Sequence, residues 1–244
     1  FHKNHGKEGT IMVTQVKEWH KYGVVVYNKA DGKIDKFVEK PQEFVGDRIN
    51  SGIYILNKSV LKRIPLQKTS IETQVFPVMA NEGELFCMEL EGFWMDIGQP
   101  QDYILGLDKF LPNMPARIAT AVTAEQAAAG KYEVKGVVVV DPSATVEEGA
   151  ELGPNVTVGP GCVIGKCARL SNCAILANTK VGKGAYVNKS IIGWNNTVGA
   201  HCHIDNVTVT GDDVQIAPAL IINGAKVLPN KGVKASVEKP EVIM

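Results

Sequence analysis

Residues 140–176 read VDPSATVEEGAELGPNVTVGPGCVIGKCARLSNCAIL, and the period of this stretch decides the fold. An aliphatic residue returns every sixth position, at Val140, Val146, Leu152, Val158, Ile164, Leu170 and Leu176. Four residues after each of the first six stands a small or aliphatic side chain: Ala144, Ala150, Val156, Cys162, Ala168 and Ala174. Six residues cannot bury their own apolar side, so successive units must stack to share a core. Three units turn the chain through a triangle, which predicts a parallel β-helix with the aliphatic residues laddered inside it. An α-helix would need spacings of three and four, and these are absent. After a five-residue step from Leu176 to Val181 the period runs on through Val187, Ile192, Val198 and Ile204, with a second short step at Ile192, and the domain is expected to reach about Gly232.

Composition narrows the function classes. The 244 residues allow one large or two moderate domains, and 45% hydrophobic with 21% charged residues is ordinary for a chain with a sizeable core. With 26 basic and 26 acidic residues and no like-charge block, a basic face for nucleic acid has little support. No apolar run is long enough to span a bilayer, and no signal-peptide pattern opens the chain. Of the five cysteines, Cys162 and Cys202 fall on interior positions and Cys167 and Cys173 on turn-side ones. That usage predicts reduced thiols and a cytoplasmic location. His201-Cys202-His203 looks metal-like in isolation, but in register Cys202 points inward and both histidines outward, short of the four ligands a structural zinc needs. Trp194-Asn195-Asn196 falls on a corner and reads as surface or oligomer contact.

Before the repeat, strand and helix signals alternate. Strands are expected at Thr10–Val16, Gly23–Tyr27, Lys33–Val38, Gly52–Leu56 and Leu85–Leu90. Helices are expected at Ser59–Ile64, at Ile71–Asn81 behind a Ser70 cap with Pro77 splitting it, and at Asp102–Phe110. Pro112 and Pro115 mark a boundary, and Ala116–Lys135 reads as a linker with a short alanine helix stopped by Gly130. Phe1–Gly6 resembles the tail of a helix, an opening that suggests the C-terminal part of something longer.

Three constellations in the first part carry possible chemistry. Glu39-Lys40-Pro41 leaves a strand at its end, where α/β sheets place ligand groups; the bland alternative is a solvated strand terminus. Asn50 can donate to and accept from a sugar hydroxyl, and Gly52 lets backbone approach a ligand, although an ordinary turn feeding a strand explains both. Asp96, within Gly92–Pro100, suits half of a magnesium site, because magnesium is often held by one or two carboxylates plus substrate phosphates. An aspartate capping the helix at Pro100 is the equal alternative.

In this order, Tyr22–Val25, Phe37–Pro41, Asn50–Tyr54, Ser70–Thr73 and Gly92–Pro100 ahead of a hexapeptide β-helix resemble the sugar-phosphate nucleotidyltransferases. Within them, Ile192–Gly199 and Val242–Met244 resemble the eukaryotic mannose-1-phosphate guanylyltransferases. The resemblance implies an α/β fold, the C-terminal part of a Rossmann-like nucleotidyltransferase domain over residues 1–111. A linker at 112–135 and a left-handed parallel β-helix at 136–244 would follow. It implies an enzyme that forms GDP-mannose and pyrophosphate from GTP and mannose-1-phosphate. Glu39 and Asn50 would hold mannose hydroxyls, Gly23 would offer backbone to the sugar, Lys40 would meet the sugar phosphate, and Asp96 would be one of two Mg ligands. A homo-oligomer with a regulatory homologue as a further partner is also implied.

The sequence departs from that pattern in lacking a glycine-rich loop followed by Arg and Lys, and an upstream aspartate for the metal. The expectation is therefore a fragment holding the sugar side of the pocket, inactive alone, with an α/β layer poorly stable by itself. Two alternatives stand beside it: an inactive assembly or regulatory subunit that uses its β-helix for oligomerisation, and a relative transferring an adenylyl or thymidylyl group to glucose-1-phosphate.

Overall fold

The computed structural model describes residues 1–115 and 121–244. The expected linker falls partly on residues 116–120, outside those described. Contacts divide the chain into two compact units, Phe1–Asp96 and Ile97–Met244. The helix expected to close the first domain therefore belongs to the second unit.

The first unit is built on five strands: β1 (Gly9–Gln15), β2 (Gly23–Tyr27), β3 (Ile34–Glu39), β4 (Arg48–Leu56) and β5 (Leu85–Glu89), in the order β3-β2-β4-β1-β5. Only β1 and β5 pair in parallel; the other pairs are antiparallel. One face buries Ile11, Val13, Phe37, Leu85 and Cys87 against Phe76 and Met79. Phe76 takes the rings of Phe37 and Tyr54 edge-on at 5.5 and 5.1 Å, a geometry aromatic quadrupoles favour. The expected helix over 71–81 splits where Pro77 required it. A π-turn (Ile71–Val75) closes through the Phe76 N–H to Ile71, and an α-helix (Phe76–Asn81) takes Pro77 into its first turn, where no N–H is needed. Ser70 caps the turn by accepting from the Thr73 N–H at 3.2 Å. The helix expected at Ser59–Ile64 is a 3₁₀ segment, Lys58–Arg63, because Pro65 forces Ile64 into an extended conformation.

On the other face a short helix, His2–His5, ends at Gly6 in the left-handed region. It is held by a closed hydrogen-bond circuit through the buried Thr10. The Lys7 N–H donates to His5 Nδ1 (3.0 Å), and His5 Nε2 and His2 Nδ1 both lie 2.8 Å from the Thr10 hydroxyl. His2 Nε2 meets Asn57 Oδ1 at 3.2 Å, and the Asn57 amide donates back to the Lys7 carbonyl at 2.9 Å. Because His5 Nδ1 accepts from the Lys7 N–H, a neutral His5 carries its proton on Nε2 and donates it to the Thr10 hydroxyl. Beyond this helix, Ile55 and Met88 remain 57% and 43% exposed.

The second unit opens with α-helices Pro100–Phe110 and Ala124–Ala129, the latter boxed by reciprocal bonds between Thr123 and Gln126. A β-solenoid of about six turns follows. Its two- and three-residue strands form three parallel sheets of six, seven and six strands. The first rung, Glu133–Val134, pairs with Glu151–Leu152, so the solenoid starts inside the stretch expected to be linker. Ile164, Val181, Val198, Ile216 and Val233 form one interior ladder at steps of 17 or 18 residues. Turns stack so closely that a Cβ on Gly199 would lie 2.4 Å from the Pro218 nitrogen. Several corners are asparagines with positive φ, among them Asn155, Asn172, Asn178 and Asn195, a conformation asparagine tolerates. Their amides form ladders from turn to turn, as from Asn155 to Asn172 at 3.3 Å.

Three details correct the sequence reading. Val158 pairs with Ile175 and Ile175 with Ile192, so the first five-residue step runs from Leu170 to Ile175, and Leu176 is only half-buried. Cys173, expected on the turn side, is fully buried in that rung, and burial pushes its thiol up to about 12. Asn196, expected at the surface, is 2% exposed. Its amide donates to Thr210 Oγ1 (2.6 Å) and the Gly211 carbonyl (3.0 Å), while its oxygen accepts from the Val214 N–H. Trp194 beside it is exposed. All five cysteines are free thiols, with only Cys167 exposed. Among the described residues no helix is long and apolar enough to cross a membrane.

Candidate functional site

In the first unit, five chain segments line one open hollow of about 300 Å³. Gly23, Glu39, Lys40, Asn50 and Asp96, the residues singled out from the sequence, all border it. Lys21, Tyr22, Ser51, Gly52, Glu72 and Trp94 border it as well.

Each segment reaches the hollow through a local irregularity. At the sheet edge Gly23 pairs with Glu39, and a Cβ on Gly23 would lie 2.7 Å from the Phe37 ring and 2.8 Å from Glu39 Oε2. Glycine at this position therefore leaves room for the Glu39 carboxylate to fold over the strand. Lys40 adopts φ 45 as the chain leaves β3, and its N–H donates to the Tyr22 carbonyl at 3.1 Å. Its ammonium lies 3.6 Å from Glu39 Oε1 and is largely exposed. The contact resembles a weak surface pair, which leaves the ammonium available to an anion.

Asn50 sits within β4, where a turn feeding a strand was the bland alternative. The strand is longer than expected and carries a bulge. Ile11 pairs with Tyr54 and Val13 with Asn50, so three residues of β4 stand opposite the single residue Met12. Bulges of this kind re-aim side chains and concentrate beside active sites. Gly52, at φ 81 with open space around its Cα, provides the turn. Asn50 Oδ1 accepts from the Gly52 N–H (2.9 Å), and its amide donates to the Tyr54 hydroxyl (2.7 Å). One amide hydrogen and one lone pair remain for a ligand. Burial holds the Tyr54 phenol above its usual range, with the charges of Glu72 and Glu39 adding to the effect and the Asn50 bond opposing it. Ser51 anchors the bulge by donating to the Met12 carbonyl at 2.8 Å.

The segment carrying Asp96 is tied to that bulge. Trp94 Nε1 donates to the Ser51 carbonyl at 3.0 Å, and its ring meets Tyr22 edge-on at 5.4 Å. Asp96 is exposed and no hydrogen bond or ion pair engages its carboxylate among the described residues. Nor does it cap the following helix. Gln99 holds the cap position, with its N–H bonded to Asp102 at 3.0 Å. Among the described residues no cluster of three metal-binding side chains occurs. Asp96 fits one ligand of a hard cation completed by phosphate oxygens, and the donor set fits no all-protein cage.

With carboxylates at Glu39, Glu72 and Asp96 and the ammonium group of Lys40, the hollow suits a ligand that presents both hydroxyls and phosphate. Tyr22, Gly52 and Trp94 lay inside motifs already quoted, and Glu72 lay beside the Ser70 cap. No spacing signal pointed to Lys21.

Comparison with known proteins agrees with this architecture. Residues 1–111 match the nucleotidyl transferase family model, and residues 134–243 match the GMPPB C-terminal domain. A probable mannose-1-phosphate guanylyltransferase 3 of Oryza sativa subsp. japonica is 49% identical over the whole chain. The mannose-1-phosphate guanylyltransferase catalytic subunit beta of Drosophila pseudoobscura pseudoobscura is 50% identical, and mannose-1-phosphate guanylyltransferase 1 of Arabidopsis thaliana 46%. The chain spans 66%, 64% and 66% of the length of these relatives, respectively.

Proposed function

The chain belongs to the nucleotidyl transferase family, and we propose from this that it serves the synthesis of GDP-mannose and pyrophosphate from GTP and mannose-1-phosphate. The observation that carries the reading is the convergence of Gly23, Glu39, Lys40, Asn50 and Asp96 on one hollow. In the reaction a sugar-phosphate oxygen attacks the α-phosphorus in line, the new P–O bond forms, and pyrophosphate leaves with the bridging oxygen. The protein's part is to position the reactants and neutralise charge.

Glu39 accepts from mannose hydroxyls, and Asn50 uses its remaining N–H and lone pair in the same way. Gly23, whose missing side chain leaves room for the Glu39 carboxylate over the strand, is assigned the backbone contact to the sugar beside them. Lys40 pairs with the sugar phosphate, a charge-assisted bond worth about 1.5–3 kcal/mol. Asp96 is the residue that would hold Mg, which when bound offsets the negative charge gathering on the phosphates. The sequence has no glycine-rich loop followed by Arg and Lys, so these residues are assigned the acceptor side of the site and none the nucleotide side. The β-solenoid is assigned assembly, with further copies or with a homologous regulatory subunit. The Drosophila relative's name, a catalytic subunit beta, supports this part of the reading.

Calorimetric titration of mannose-1-phosphate into the chain tests the assignment. Saturable binding that weakens about 10- to 100-fold in Lys40→Ala is expected, and absence of binding would overturn it. For the metal, Asp96→Asn in the complete enzyme should abolish Mg-dependent pyrophosphate release and leave the fold intact. Near-normal release in that variant would remove Asp96 from the role.

A further inference from the structure

Glu72 borders the hollow but lies outside the set Gly23, Glu39, Lys40 and Asn50 that the proposed function uses. Its position is fixed by the turn that carries it. The Ser70 hydroxyl accepts from the Thr73 N–H at 3.2 Å and lies 3.2 Å from Glu72 Oε2. The Gln74 side chain in turn accepts from the Ser70 N–H at 2.7 Å. This pins the start of a π-turn, a local device frequent at functional sites. The hydroxyl engages Oε2 alone. Among the described residues Oε1 has no protein partner.

The negative charges of Glu72 and Glu39 are both felt by the Tyr54 phenol, whose hydroxyl is itself bonded to Asn50. Glu72 therefore belongs to the same polar group as two of the assigned sugar contacts. A carboxylate there would repel a phosphate, whereas it is a strong acceptor for a hydroxyl. The Lys40 ammonium supplies positive charge on the hollow's border, while that of Lys21 is engaged by Glu18 at 2.9 Å.

On the reading of the hollow as an acceptor-sugar site, we propose that Glu72 is a further substrate-binding residue, accepting a hydrogen bond through Oε1 from one hydroxyl of the sugar phosphate. It thereby selects among sugars by the hydroxyl they present. Loss of a charged acceptor leaves that hydroxyl without its partner, and a site that bonds a hydroxyl discriminates against the analogue that lacks it.

The experiment is a set of calorimetric titrations of the chain and of Glu72→Gln with mannose-1-phosphate and its monodeoxy analogues. The glutamine variant should bind the parent about tenfold or more weakly. One monodeoxy analogue should bind wild type and variant equally, since the group that Glu72 contacts is gone from it. Glu72→Asp, which keeps the charge and shortens the reach, should show the same analogue dependence, and thermal unfolding of both variants should match wild type. Equal parent affinity in wild type and Glu72→Gln overturns the role of Glu72 and leaves the sugar site standing, and so does a loss uniform across all analogues. No binding of any sugar phosphate by wild type overturns the sugar site and this inference with it.

Discussion

The two units use opposite means to place a side chain. In the solenoid, position in a repeat does everything. Ile164, Val181 and Val198 are buried because each stacks on its counterpart one turn away. In the α/β unit the residues at the hollow are placed by breaks in regularity: a bulge opposite Met12, a left-handed Lys40 and a π-turn behind Ser70. Regularity gives the solenoid a continuous core that tolerates little. Irregularity turns polar groups from separate segments toward one space. Stability and chemistry are thus drawn from different kinds of sequence information.

That contrast can be broken at several points. The largest effect belongs to the ladder. Ile164→Ala should cost about 2–5 kcal/mol, because a fully buried rung has no way to collapse around the cavity. Urea unfolding of the second unit measures it, and a cost under about 1 kcal/mol would mean that the turns repack independently.

A smaller effect is expected at the bulge. Trp94→Phe keeps the ring against Tyr22 and removes the single bond to the Ser51 carbonyl. It should weaken mannose-1-phosphate binding by about two- to tenfold with little change in unfolding temperature. Unchanged affinity would show that the bulge holds without the tryptophan.

The smallest concerns the histidine circuit. Burial, then the neighbouring His2, hold His5 below its ordinary value of 6.5. The unfolded chain therefore takes up a proton first as pH falls. The stabilising contribution is complete above about pH 6.5 and is lost as pH falls from there through the lower folded-state value. Its Nδ1 also accepts from the Lys7 N–H, so a protonated ring would set donor against donor. Unfolding followed between pH 7.5 and 5 should show this decline, and His5→Gln should flatten it. An equal slope in both proteins would place the titrating group elsewhere.

The same contrast explains what the sequence disclosed. A six-residue period reveals an interior ladder directly, and most rungs followed from it. It missed where neighbours are chemically alike. Ile175 and Leu176 are both aliphatic, and only the pairing of Ile175 with Val158 and Ile192 chooses between them. Asn196 read as surface because an isolated polar residue at a corner carries no mark of the Thr210, Gly211 and Val214 partners awaiting it inside. At the hollow, Glu39, Asn50 and Asp96 stood out through the order of motifs, since spacing alone left the bland alternatives open. The strand around Asn50 reads four residues short in the sequence, from Gly52 rather than Arg48, because Gly52 resembles a turn, and within the bulge it is one. Lys21 gave no signal, since a lysine in a short polar stretch has no periodic partner.

The central claim is that the hollow between Gly23, Glu39, Lys40, Asn50 and Asp96 receives the sugar phosphate while the solenoid takes no part in holding it. Amide and indole NMR of the chain during titration with mannose-1-phosphate tests this directly. The account predicts saturable shifts of the Trp94 indole and of the Gly23 and Gly52 amides, with Val181 and Val198 unmoved. Shifts confined to the solenoid, or none at the hollow, would contradict it.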